Sequence, residues 1–318
     1  MLYCRPCFTR GHGLGNRLFP WARARLFAAS TGARFIDPVW VRPALGPMLR
    51  GGIALRHYRS QILLLGLFRR RPGDLGVLRG WWVARGATRI SEPAATIVPQ
   101  TSAAATADDV LVEFRGYEGY FAPLLGREEL LRSELRAVAR PRLLLRADRL
   151  GPVPIAINVR CGRDFPKPRP GAERIAPGEA TPLGWFVEAL RLVRRSMGAR
   201  VPAFVVSDGG VGDLAALLAE PEVRLVRPGC AVTDLLVLLR ARVLLASGSS
   251  SFGAWAAFLG GMPAATHPGQ PLAAWALPPE EGEALRVELD TRRPDDRFLR
   301  VATGRLRDSE GADTWATC

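Results

Sequence analysis

Apolar stretches of strand length alternate with helical segments through the second half of this 318-residue chain. That alternation predicts an α/β fold on a parallel, doubly wound sheet. Two further observations support it. The chain opens on a strand, a glycine-rich turn and a helix, a unit of the same kind. No uninterrupted apolar stretch is long enough to span a bilayer, and the start lacks a signal peptide's apolar run, so a soluble, cytoplasmic protein is expected. With 48% hydrophobic and 23% charged residues, the composition is that of a globular protein.

Taken in order, the first strand is expected at Leu2–Phe8, followed by Gly11-His-Gly-Leu-Gly-Asn16 and a helix over Arg17–Ser30. Leu18, Trp21, Ala22, Arg25, Leu26 and Ala29 give that helix its spacing. Pro20 is tolerated if it falls in the first turn. A second strand is expected at Ala33–Val39. Residues 41–105 are hard to parse; the apolar run at 62–68, flanked by Arg69–Arg71, reads either as a core helix or as an interfacial helix on an anionic membrane. Residues 101–109 read as a surface linker. Beyond 150, strands are expected at Val153–Val159, Ala203–Ser207, Val223–Val226 and Val243–Ser247. Helices are expected at Leu183–Met197, Asp213–Leu218, Thr233–Arg240 and Phe252–Gly260. The chain thus divides into an N-terminal domain, 1–150, and a C-terminal domain, 151–318.

Charge is unevenly spread. The net charge is +14, and Lys167 is the single lysine among 44 basic residues. Residues 1–90 hold sixteen arginines and two acids, Asp37 and Asp74, while the rest of the chain is balanced. Such an excess points to phosphate-rich partners (nucleotides, anionic lipid head groups or nucleic acid) or to arginine drift on a solvated face. Cys4 and Cys7 form a lone C-x-x-C without a second pair, which reads as strand residues rather than as a zinc site.

In a doubly wound sheet, ligands sit beyond the carboxyl ends of the strands, so the residues just after each strand carry the functional reading. Gly13, Gly15 and Asn16 open a helix after the first strand, where backbone N–H groups can meet an anion. The pattern lacks the full dinucleotide fingerprint, and Asp37 is followed by Pro38. Arg160-Cys-Gly162-Arg163-Asp164-Phe165 follows the strand at 153–159; an arginine there can grip a diphosphate while Gly162 lets backbone approach. Ser207-Asp208 can accept hydrogen bonds from a sugar or cap a helix. Ser247-Gly-Ser249-Ser250-Ser251-Phe252 forms a phosphate nest, with N-capping by Ser250 or Ser251 as the alternative.

These clusters match one family in order and spacing. The chain resembles the α-1,2-fucosyltransferases and the wider fucosyltransferase superfamily. Gly13-Leu-Gly-Asn16-Arg-Leu-Phe19 is similar to that family's G-L-G-N-Q-L-F, and Gly116-Tyr-Glu-Gly-Tyr120-Phe121 to its G-Y-F-Q-x-x-x-Y-F. Asn158-Val-Arg160-Cys-Gly-Arg163-Asp164-Phe165 resembles H-x-R-R-G-D-[YF], Ser207-Asp208 resembles S-D-D, and Ser250-Ser-Phe252-x-x-Trp255 opens a match to S-S-F-S-W-W-G-A-W-L. Asn158 stands at the motif's histidine, Cys161 at its second arginine and Gly209 at its second aspartate, and Arg163 is inserted. These departures leave the donor sugar open.

The resemblance implies a GT-B-like protein with two Rossmann-like domains facing a cleft, the basic N-terminal one on the acceptor side and the C-terminal one holding GDP-fucose. It implies an inverting, metal-independent transferase acting on a glycan hydroxyl, and the sequence has no D-x-D motif to hold a metal. Arg160 would bind the β-phosphate, with Ser250–Phe252 and Gly13–Asn16 lining the rest of the site. His57, Glu118 and Asp208 are the candidate bases, whereas His12 and His267 read as loop residues. The alternatives are another nucleotide sugar, an inactive lectin-like relative, or a non-catalytic protein that binds polyanions or a membrane surface. An anionic membrane is a possible further partner, and nucleic acid ranks last.

Overall fold

The computed structural model describes residues 1–9, 12–40, 66–92, 108–162, 165–166, 175–176, 178–226 and 230–308. His57, Gly11, Arg163 and Asp164 lie outside them, as do most of the stretches at 62–68 and 101–109. The chain forms two compact units, 1–144 and 145–318, each built around its own parallel sheet.

The first unit contains β1 (Leu2–Cys7), α1 (Leu14–Thr31), β2 (Arg34–Phe35), α2 (Val77–Gly86), β3 (Thr88–Ser91), β4 (Val110–Arg115) and α3 (Glu128–Val138). Its strand order is β2-β1-β4-β3, with every pair parallel. Side chains alternate across the sheet. Cys4 meets α1, its thiol 3.4 Å from the Ala24 carbonyl, while Tyr3 and Leu111 share a small core with Ala84 of α2. Helices therefore cover both faces. Cys4 and Cys7 sit on β1 as expected, and burial pushes the Cys4 thiol up to about 12, which keeps it protonated.

Two local expectations are corrected. The strand at Ala33–Val39 shrinks to two residues and a bridge from Ile36 to Leu75, because Pro38 cannot donate to a ladder. The first helix begins at Leu14, three residues early, so Pro20 lies in its interior and not in its first turn. Proline has no N–H, so the Asn16 carbonyl loses its helical partner there. At the end of the 62–68 run, Leu67 and Phe68 are buried, and Phe68 stacks on Trp40 with ring centroids 3.8 Å apart.

The second unit contains α4 (Pro141–Asp148, which crosses the boundary), β5 (Val153–Val159), α5 (Leu183–Met197), β6 (Ala203–Ser207), α6 (Ala215–Leu218), β7 (Val223–Leu225), α7 (Ala231–Leu238), β8 (Ala241–Ala246), α8 (Ser251–Gly260), β9 (Ala264–Thr266), β10 (Arg286–Glu288) and α9 (Asp296–Arg307). The strand order is β10-β9-β8-β5-β6-β7, all parallel. Every residue of β5 is buried, as expected of a central strand covered on both faces. Ile155, Ile157 and Val159 pack with Phe186, Leu190 and Phe298 on one side, while Asn158 turns toward α8 on the other.

Candidate functional site

In the second sheet the chain leaves β5 toward β6 and β7 and later returns to β8 on the opposite side. The switch point therefore falls between β5 and β8. Arg160 follows β5, and Ser247–Ser250 follow β8. The two loops are tied together: Ser247 N–H donates to the Asn158 carbonyl at 2.8 Å, and Arg160 N–H donates to Ser247 Oγ at 2.9 Å. Ser250 caps α8, its Oγ accepting from Gly253 N–H at 3.3 Å. Of the two expected caps, Ser250 is the one used.

Arg160 is held on several sides. Its Nε lies 3.3 Å from Asp208 Oδ2, and its guanidinium sits over the Phe165 ring at 4.7 Å. The other oxygen of Asp208 accepts from Cys161 N–H at 3.0 Å. Asp208 thus works as a brace that fixes the arginine and the turn behind it. The Cys161 thiol is pushed up by burial and by the charges of Asp208 and Asp213, against a hydrogen bond with Ser207, so it stays protonated at neutral pH.

The departures from the motif have local explanations. Asn158 is buried, within 3.5 Å of Ser250 Oγ, and a Cβ on Gly253 would lie 2.9 Å from its Oδ1. It supports the serine loop from beneath. Cys161 and Gly209 touch each other: a Cβ at position 209 would lie 2.1 Å from the Cys161 sulfur. The residues at positions 161 and 209 therefore constrain each other's size.

Sequence reasoning missed the second support of the serine loop. Gln270 and Thr181 are both buried; Thr181 Oγ1 donates to Gln270 Oε1 at 2.6 Å and accepts from Gly248 N–H at 3.3 Å. A side chain at Gly248 would strike Gln270, and Ser249 is held at φ 55°, a costly conformation for serine. Neither residue belongs to a local motif, so no spacing could have revealed them.

In the first unit β1 and β4 are the neighbouring central strands, and their carboxyl ends lie side by side. Asn16, His12, Pro20 and Gly116 line a shallow crevice there. Gly13 caps α1 at φ −70°, and a Cβ on it would meet nothing, so neither backbone nor packing demands a glycine. Gly15 is buried within the first turn of α1. Glu118 is exposed and pairs with the buried Arg23 at 3.1 Å. Arg23 also binds Glu92 at 2.5 Å and the Arg115 carbonyl at 2.7 Å. His12, expected to be an ordinary loop residue, lies 5.6 Å from the Tyr117 ring, and Tyr117 stacks on Tyr120. Burial lowers its pKa, with help from Arg17, which leaves a neutral imidazole at pH 7.

A cavity of about 450 Å³ in the same unit, lined by Arg23, Phe27, Glu92, Phe114 and Leu130, includes none of the expected site residues. Among the described residues no three His, Cys, Asp or Glu side chains are grouped to hold a metal ion, and no helix is long and apolar enough to cross a membrane.

No protein-family model matches the chain, and no curated protein matches its sequence. Among solved structures it is similar to POFUT1 in complex with GDP, at 14% identity over 83% of this chain and 97% of that chain, with a TM-score of 0.47. It is similar to the fucosyltransferase NodZ from Bradyrhizobium at 15% identity over 81% and 94% of the two chains, with a TM-score of 0.47. A NodZ alpha-1,6-fucosyltransferase soaked with GDP-fucose gives 15% identity over 81% and 93%, with a TM-score of 0.43.

Proposed function

We propose that this protein is a glycosyltransferase of the fucosyltransferase superfamily, nearest by motif to the α-1,2 enzymes, that moves fucose from GDP-fucose to a glycan hydroxyl in the cytoplasm. The reading rests above all on Arg160, an arginine at the switch point of a parallel sheet, braced by Asp208 and Phe165 beside a serine-capped helix. In this reading the second unit holds the donor and the basic first unit receives the acceptor.

The reaction inverts the sugar without a metal. The acceptor oxygen bonds to C1 as the bond from C1 to the β-phosphate oxygen breaks, and GDP leaves with the electron pair. Arg160 meets the charge that develops on the β-phosphate, and the N–H groups around Ser249–Phe252 complete the cradle. The acceptor proton passes to a base. Asp208 is committed to Arg160 and Cys161 N–H, and Glu118 pairs with Arg23, which favours the neutral His12.

Arg160→Ala tests the reading. Asp208 still ties down Cys161 N–H in this variant, so the loop keeps its shape. GDP binding measured by calorimetry should be lost, and turnover should fall by about 10²–10³ or more. Unchanged GDP affinity would falsify the assignment. Cys161 and Gly209, closely packed where the resembled motif has an arginine and an aspartate, favour a second reading, a superfamily enzyme with a different nucleotide sugar. Thermal shift with GDP-fucose, GDP-mannose and UDP-sugars separates the two, because a ligand at a hundred times its Kd adds about 2.7 kcal/mol. Stabilisation by none of them would favour a non-catalytic binding protein.

A further inference from the structure

Helix α2 is built inside out. A surface helix ordinarily turns its large apolar residues toward the core. Here the buried positions are the smallest, Gly80 and Ala84, with Val83 half-buried beside them, and a Cβ on Gly80 would lie 2.2 Å from Ile36. The other large residues point the opposite way. Leu78 is 81% exposed, Trp82 69%, Trp81 49% and Val77 45%. Positions 78, 81, 82 and 85 share one side of the helix by its period. Trp81 and Trp82 meet edge to face at 5.2 Å, and the Arg85 guanidinium covers Trp81 at 4.6 Å.

The charge around this face has one sign. Between Asp74 and Glu92 the sequence carries Arg79, Arg85 and Arg89 and no acid, and all three arginines are exposed. Arg70 joins them, its guanidinium lying beside Gly76 at the start of the helix. Asp74 itself is buried in a pair with Arg25. Exposed tryptophans and a leucine ringed by arginines match the boundary layer of a bilayer. There indole rings lie at head-group depth, aliphatic groups reach the acyl chains, and arginines meet lipid phosphates.

We infer that the outward face of α2 is a docking surface for an anionic lipid bilayer, with Leu78 and Trp82 entering the acyl boundary and Arg79 and Arg85 contacting the head groups. The inference concerns where the protein sits and is independent of the transfer reaction. It rests on α2 alone, since most of the 62–68 run lies outside the described residues.

The test is co-sedimentation of the full chain with vesicles of phosphatidylcholine and phosphatidylserine, against phosphatidylcholine alone, without donor or acceptor. Binding to the mixed vesicles is expected. Leu78→Ser with Trp82→Ser should weaken it by at least about tenfold, and Arg79→Glu or Arg85→Glu by about fivefold or more each. All four side chains point to solvent, so far-UV circular dichroism and melting should match the wild type. Three results would overturn the proposal: no binding to either vesicle at low salt, binding unchanged by the Leu78 and Trp82 substitutions, or a dimer in solution that those substitutions abolish. RNA binding that depends on the arginines but not on Leu78 and Trp82 would also overturn it, in favour of a polyanion site. A failed vesicle experiment leaves GDP binding untouched, so the two proposals fall separately.

Discussion

Gly209 and Cys161 answer one packing constraint. A Cβ at 209 would meet the Cys161 sulfur at 2.1 Å, with Ser207 and Asp213 a further ångström or so away. Gly209→Ala should therefore destabilise the native protein and cost much less in a Cys161→Ala background. A double-mutant cycle by urea unfolding should return a coupling on the order of 1 kcal/mol, and additive effects would mean the contact does not constrain the site. At this scale the sequence was a good guide to position. Arg160 and Ser250 stand where their motifs put them, since a strand end and a helix cap are local features. Asn158 contacts Ser250, and Asp208 contacts Arg160 and Cys161, partners that no local spacing reveals because they come from segments dozens of residues away.

Among the elements, α1 shows most clearly how composition misleads. Arg17, Arg23 and Arg25 all lie on it, and all are buried. Arg25 forms two hydrogen bonds with Asp74, at 2.9 and 2.6 Å, and its guanidinium lies 3.6 Å from the centre of the Phe35 ring. Read as sequence, these arginines form part of a basic excess that points either to phosphate-rich partners or to drift on a solvated face; in the fold they fasten the helix to neighbouring segments. Removing one partner of such a pair leaves the other charge buried. Arg25→Ala should cost about 3–5 kcal/mol in chemical unfolding, whereas an exposed arginine such as Arg85 should cost little on the same measurement. The helices at 77–86, 128–138 and 296–307 were not anticipated. Inverted amphipathy hid α2, whereas α3 and α9 carry ordinary amphipathic spacing in stretches where no motif drew attention.

Across the whole molecule, the basic excess stays with the first unit; Arg17, Arg23 and Arg25 are buried there, while most of the other described arginines are exposed. Residues 1–144 hold twenty-two basic against ten acidic residues, and Glu92, Glu113, Glu118 and Glu134 each pair with an arginine from the first 90 residues. This network makes stability depend on pH in two opposite senses. Burial pushes Glu113 up, but hydrogen bonds from Arg115 and Arg5 outweigh it and hold the carboxyl below its ordinary value. A depressed carboxyl contributes stability above its unfolded value near 4.5 and loses it as pH falls through the folded value. Asp37 runs the other way: burial, reinforced by Asp74 and opposed by Arg25 and Arg70, raises it to about 6. Its folded form holds the proton more tightly, so stability is highest below about 3.8 and declines as pH climbs to about 6. Asp37→Asn should then raise the melting temperature at pH 7.5 and leave it nearly unchanged at pH 4, while Glu113→Gln should lower it at pH 7.5 and matter less at pH 3. Thermal unfolding of both variants across that range checks the signs; equal shifts at every pH would show that neither carboxyl's ionisation is coupled to folding. Since Asp37 directly follows the bridge at Ile36 beside the edge strand β2, and Glu113 pairs with Arg5 across the central strands β1 and β4, the two slopes report on the edge and the middle of one sheet, and each can be lost without the other.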